Sequence, residues 1–223
     1  MNTVQMSYFI ALIVSLLSMI IFLRKGIERR KNKLLSIATL NILISSILMY
    51  LNRTIDNEQF SIFSHYCYHF LHCIFPFIFF LYVVDLIGKW YDIKKYKTIL
   101  MLIPVIIFYG ILISNPFTDF AFTYTDGVYK RGPGIYFEYG AAAFYMICGI
   151  YWIIKYRKAI GIKKTIDFIL FLALITSGVL IQLIKSEIKV ELFLTSLGLL
   201  SIGCNIENRD QVVNRQTDCY NAD

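Results

Sequence analysis

The chain carries three histidines, His65, His69 and His72, all inside the stretch SHYCYHFLHCIFP at 64–76. Offsets of four and then three residues put them on one face of an α-helix, among aromatic and aliphatic neighbours. Imidazoles arranged in this way allow three kinds of chemistry. Histidines at i and i+4 can chelate one metal ion, but His72 stands two turns from His65 and no carboxylate lies close by in sequence. A haem takes one or two histidines facing a flat slot, usually from different helices, whereas these three share one. The third reading is a polar seam that hydrogen-bonds neighbouring helices and lines a wet pocket, where a small ligand or a proton is sensed. We adopt the third reading, and expect no metal and no cofactor.

The elements that must hold this seam follow from composition. The 223 residues are 57% hydrophobic and 17% charged, with a mean hydropathy of +0.61. A soluble domain is nearer one-quarter charged. Apolar runs of about 17 to 25 residues recur along the chain, each long enough to cross a hydrocarbon core. We read seven helices, at about 6–23, 34–51, 61–87, 97–114, 135–154, 165–184 and 189–206. The expected fold is an all-α polytopic membrane bundle. The first apolar run is not a secretory signal, because its basic cluster follows it.

The formal charge of +7 invites a nucleic-acid reading, but the excess lies between the spans. Segments 24–33, 89–97 and 155–164 hold fifteen lysines and arginines; the alternate connections hold Arg53, Lys130, Arg131, Lys185 and Lys189. The positive-inside rule then places the N-terminus outside a plasma membrane and the C-terminus in the cytoplasm, and no nucleic-acid partner is expected. The five cysteines are odd in number and mostly within spans, so they imply no disulfide framework.

The largest outside connection contains a hairpin signal at about 118–132. Phe120, Phe122 and Tyr124 alternate with smaller residues, Asp126-Gly127 suits a type I′ turn, and Tyr124 would oppose Tyr129. A lone hairpin is marginal in water, so this one is expected to cap the bundle. Pro76, one turn beyond His72, is expected to kink the third helix.

Ionisable groups in lipid must face the bundle interior or water. The alternating direction of the spans brings Glu138, Gln182 and Glu191 to the same membrane level as the histidines. An outward-opening pocket of His65, His69, His72, Glu138, Gln182 and Glu191 is the expected ligand site. Asp85 and Asp167 lie at the basic ends, where pairing with lysine is expected.

Signals for catalysis within the chain are missing. The sequence has no HExxH, GxSxG, phosphate-binding glycine loop or CxxC. A light-driven pump is not indicated either, because the last helix has no lysine at mid-depth.

Several stretches carry a resemblance. Asn115, Pro116, Phe117 and Thr118, then Phe120, Phe122 and the run DGVYKRGPG at 126–134, form one; His72, Pro76 and Tyr82 in the third helix form another. They resemble the seven-helix membrane input domains that precede GGDEF-type diguanylate cyclase domains and some histidine kinases in bacteria, notably Firmicutes. In the tail, NRQTDCYN at 214–221 is similar to the D-x-x-T-G-x-x-N run that opens a GGDEF domain. Thr217 and Asn221 match it, while Asn214 replaces the aspartate and Asp218 the glycine.

The resemblance implies a sensory domain over 1–206 and a cytoplasmic tail, 207–223, that begins or links to an output domain in cis. It also implies a homodimer. The function expected is a regulatory module that takes a small-molecule or peptide signal, external or membrane-borne, and passes it through the seventh helix. A small transporter or channel is the alternative, and would call for broken mid-membrane helices.

Overall fold

The computed structural model describes residues 3–24, 30–88, 99–125, 128–185 and 189–204. The Asp126-Gly127 turn, the basic connection at 89–97 and the tail from 207 lie outside these described residues. Among the described residues, seven main helices form the architecture: α1 (Thr3–Arg24), α2 (Arg30–Asn52), α3 (Glu58–Leu86), α4 (Ile103–Thr118), α5 (Ile135–Lys155), α6 (Ile162–Ile184) and α7 (Glu191–Cys204). Five of them are long and apolar enough to cross a membrane; α4 and α7 are shorter apolar helices. A helical turn, Arg157–Ile160, joins α5 to α6. The fold is the all-α bundle expected.

The bundle interior mixes large aromatic and aliphatic side chains with small and hydroxyl residues, while its outer surface is apolar. Tyr8, Ala11, Ser15, Ser18 and Phe22 of α1 are buried, whereas Leu16, Leu17, Ile20 and Leu23 are exposed. This is the arrangement a lipid solvent rewards, since it offers large apolar side chains to acyl tails and lets small residues bring helices together. Three buried hydroxyls bond to the preceding turn: Ser18 Oγ donates to the Val14 carbonyl at 2.8 Å, Thr39 Oγ1 to Leu35 at 2.9 Å and Ser46 Oγ to Ile42 at 2.8 Å.

Helix α3 is the axle of the fold, packing against α2, α4 and α5. Asn57 caps it, accepting the Phe60 amide on its side chain at 2.9 Å. It runs on through Pro76 for 29 residues. Helix α7 closes the bundle by close approach. A Cβ on Gly198 would stand 2.5 Å from Phe171 Cδ2 of α6, and one on Gly203 would stand 2.8 Å from the Phe22 ring of α1.

The hairpin is real but narrower than 118–132. β1 (Phe122–Thr125) and β2 (Val128–Arg131) pair antiparallel, with Tyr124 opposite Tyr129 as the alternation predicts. Helix α4 was expected to stop near 114, yet it continues to Thr118 and ends on Asp119 in the left-handed region, φ 52°. The reason is Asn115. Its Oδ1 accepts the amides of Ala121 at 2.7 Å and Phe122 at 3.2 Å, and its Nδ2 donates to the Phe122 carbonyl at 2.9 Å and to the Tyr66 hydroxyl at 3.1 Å. One buried amide thus fixes the strand to the helix end, in place of backbone bonds that a loop would otherwise lack. Phe122 then lies against Tyr66, His65 and His69, so the hairpin covers the histidine face of α3.

Candidate functional site

Helical phase brings His69 and His72 to the side of α3 that meets α5. His69 Nδ1 lies 2.8 Å from Glu138 Oε2, and His72 Nδ1 lies 2.7 Å from Glu138 Oε1. Glu138, in the first turn of α5 and 2% exposed, is therefore held by two imidazoles at once. The second nitrogen of each ring is also engaged. His72 Nε2 meets Glu191 Oε1 at the start of α7, at 2.5 Å, and His69 Nε2 meets the Tyr129 hydroxyl of β2 at 2.9 Å. The result is a continuous line, Tyr129–His69–Glu138–His72–Glu191, through four elements.

Buried charge is tolerated only where it is paired and hydrogen-bonded, and this line pairs each member. Every contact between imidazole and carboxylate needs one proton, on nitrogen or on oxygen, for the hydrogen bond to form. Rings support it laterally: Tyr68 stacks on His72, with centroids 5.2 Å apart.

His65 is placed differently. It faces the same way, as its spacing requires, but its Nδ1 donates to the Ser61 carbonyl at 2.8 Å and its ring stacks on Tyr129 at 4.2 Å. Ser61 Oγ in turn donates to Asn52 Oδ1 of α2 at 2.6 Å. His65 thus supports the hairpin and does not meet the carboxylates. Gln182 is buried on α6, and its backbone carbonyl accepts Arg131 Nη1 at 3.4 Å.

Two adjoining spaces, which share lining residues, surround the line. A small inner cavity of about 40 Å³ is lined by His65, His69, His72, Glu138 and Gln182, with Tyr8 of α1. A wider cavity of about 820 Å³ lies between the hairpin and the turn after α2, lined by Tyr124, Tyr129, Ile55, Asp56 and several cations. On the other side, His72 and Glu191 border an apolar cavity of about 40 Å³ beside Pro76, Phe79 and Leu172. Glu191 Oε2 has no hydrogen-bond partner among the described residues.

Electrostatics at the hairpin end are set by burial. It pushes the Tyr129 phenol above its ordinary value. Lys189, two residues before α7, is lowered to about 8, first by burial and then by the neighbouring charges of Arg131 and Arg53. Among the described residues, no group of three or more histidine, cysteine, aspartate or glutamate side chains is arranged to hold a metal ion.

Sequence reasoning named the two histidines and two glutamates of the line but missed Tyr129 as its end member, and missed Tyr8. The signal for Tyr129 was its place opposite Tyr124, which aims both tyrosines at the same face of the hairpin. It also passed over Arg53, Arg131 and Lys189. These were visible as three of the few cations outside the basic connections.

Residues 7–204 match the family described as the N-terminal 7TM region of histidine kinase. Curated proteins and solved structures offer no match. The match spans all seven helices and the hairpin, and the chain belongs to this family.

Proposed function

Taking membership of that family as the premise, we propose that this chain is the ligand-sensing input of a membrane signalling protein, with the hairpin end facing the outside. A signal enters the cavity beneath the hairpin, and α7 carries the response to an output domain in cis on the cytoplasmic side. The family's description makes a histidine kinase the output to test first; the tail's likeness to the opening of a GGDEF domain supports a diguanylate cyclase as the other. The positive-inside count supports the orientation, and the family resemblance supports a homodimer.

The observation that carries this reading is His72, held between Glu138 of α5 and Glu191 of α7. A ligand that favours one arrangement of these helices over another shifts their populations by its differential affinity. Because α7 begins at Glu191, the displacement is delivered to the last helix of the bundle.

The test uses the full-length gene product that contains this chain, assayed for output in membrane vesicles. His72→Ala and Glu138→Ala are expected to abolish the response to growth medium fractions while expression in the membrane persists. A wild-type response in both variants would remove the line from the sensing pathway.

A further inference from the structure

Arg53, Arg131 and Lys189 come from three separate elements: the turn after α2, the end of β2 and the segment entering α7. All three line both the inner and the wider cavity, and so they stand at the passage between the two. Arg53 and Arg131 are held by hydrogen bonds. The Arg53 carbonyl accepts Gln5 Nε2 at 2.8 Å, and its amide donates to the Tyr50 carbonyl at 3.1 Å. Arg131 pairs with Phe122 in the hairpin, and its Nη1 reaches the Gln182 carbonyl at 3.4 Å. Lys189 is half-buried.

The charge balance of this space is one-sided. The wider cavity is lined by four cations, Arg53, Lys130, Arg131 and Lys189, against the single carboxylate of Asp56. Glu138 is already consumed by two imidazoles, and the partnered oxygen of Glu191 by a third nitrogen. Among the described residues, no carboxylate makes an ion pair with Arg53, Arg131 or Lys189. Arg131 and Lys189 are half-buried and Arg53 is exposed beside them. Like charges gathered at this passage repel one another, and an anion placed among them offsets that cost. Arginine offers a planar fork that fits a carboxylate or a phosphate.

We propose that this passage is an anion-binding site for the acid group, carboxylate or phosphate, of a small molecule whose body fills the cavity of about 820 Å³ under the hairpin. That volume is within the usual range for small-molecule sites, roughly 300–1,000 Å³. The inference rests on the sensory reading above and names its ligand class. It also gives the ligand a mechanical effect. An anion that draws Arg53, Arg131 and Lys189 together joins α2, the hairpin and the start of α7, and so acts on the helix whose first residue holds His72.

The experiment follows thermal unfolding of the chain in phosphatidylcholine nanodiscs, titrated with sodium phosphate or sodium citrate against sodium chloride at equal ionic strength. The expected result is a saturable rise in the midpoint with phosphate or citrate beyond that with chloride. Arg53→Gln, Arg131→Gln and Lys189→Gln are each expected to weaken the apparent affinity roughly tenfold or more. Arg157→Gln, on the connection between α5 and α6, should leave it unchanged. Should a glutamine variant fail to fold, Arg131→Lys and Lys189→Arg keep the charge and are expected to retain binding.

No rise above chloride, or a rise that persists in all three glutamine variants, would overturn the site. A second arm replaces the soluble anions with phosphatidylglycerol in the disc. Stabilisation there that the same substitutions remove, with none from soluble anions, would keep the anion site and assign it to a lipid headgroup.

Output assays separate this inference from the sensory reading. Anion binding without any change in output would retain the site and overturn the sensor. Loss of response in His72→Ala, with no anion binding to the unsubstituted chain, would do the reverse.

Discussion

His72 Nε2 of α3 and Glu191 Oε1 of α7 stand 2.5 Å apart, both side chains almost wholly buried. This contact ties the central helix to the last one at the end of the bundle that carries the hairpin. Removing one partner leaves the other buried without compensation, a change that costs about 3–5 kcal/mol in buried ion pairs. Glu191→Ala is therefore expected to lower the unfolding midpoint in nanodiscs sharply. The His72→Ala/Glu191→Ala double variant should be less damaged than the sum of the singles, and a double-mutant cycle with no coupling would refute the pairing.

Asn115 makes three hydrogen bonds to Ala121 and Phe122 that hold the start of β1 to α4, and a fourth to the Tyr66 hydroxyl of α3. Asn115→Ala would orphan the buried amides of Ala121 and Phe122, at about 1–3 kcal/mol for each group left unsatisfied. Amide hydrogen exchange should accelerate across 120–131 while the interior of α3 stays protected. Unchanged exchange in the hairpin would show that Asn115 does not secure it.

Gly198 admits the Phe171 ring against the backbone of α7, where a Cβ would lie 2.5 Å from Phe171 Cδ2. Gly198→Ala is expected to cost about 1–3 kcal/mol through overpacking. Gly140→Ala is the control, since nothing lies within 4 Å of a Cβ there. Equal stability of the two variants would contradict the close approach of α6 and α7.

Lys189 has a folded pKa of about 8, below the ordinary lysine value, because burial comes first and Arg131 and Arg53 add to it; Glu191 acts in the opposite sense. Below pH 8 the folded chain carries a charge that its surroundings disfavour. Above pH 8 it releases the proton while the unfolded chain keeps it, so stability should rise with pH towards the unfolded lysine value of about 10.4. Unfolding midpoints measured between about pH 7.5 and 9.5 test this, below the range where Tyr129 titrates in the unfolded chain. Lys189→Met is expected to flatten the slope, and an equal slope in that variant would assign the effect elsewhere.

What the sequence by itself determined was whatever depends on local geometry. Apolar runs set the spans, because a hydrocarbon core has a fixed thickness and unpaired backbone groups are costly within it. Helical period put His65, His69 and His72 on one face, and strand alternation set Tyr124 opposite Tyr129. The alternation of span direction was enough to bring Glu138 and Glu191 to the level of the histidines.

The rotation of each helix about its axis, and the partner of each polar atom, were decided only by tertiary packing. Spacing could not show that Glu138 takes two imidazoles while His65 turns to Ser61 and the Tyr129 ring. That choice follows from where the hairpin sits, and the hairpin sits where Asn115 fastens it. Nor could sequence bring Arg53, Arg131 and Lys189 to one passage, since they are separated by 78 and 58 residues along the chain and belong to different elements. Contacts between distant segments depend on how α7 seats against α1 and α6, and Gly198 and Gly203 allow that seating because they leave room for Phe171 and Phe22.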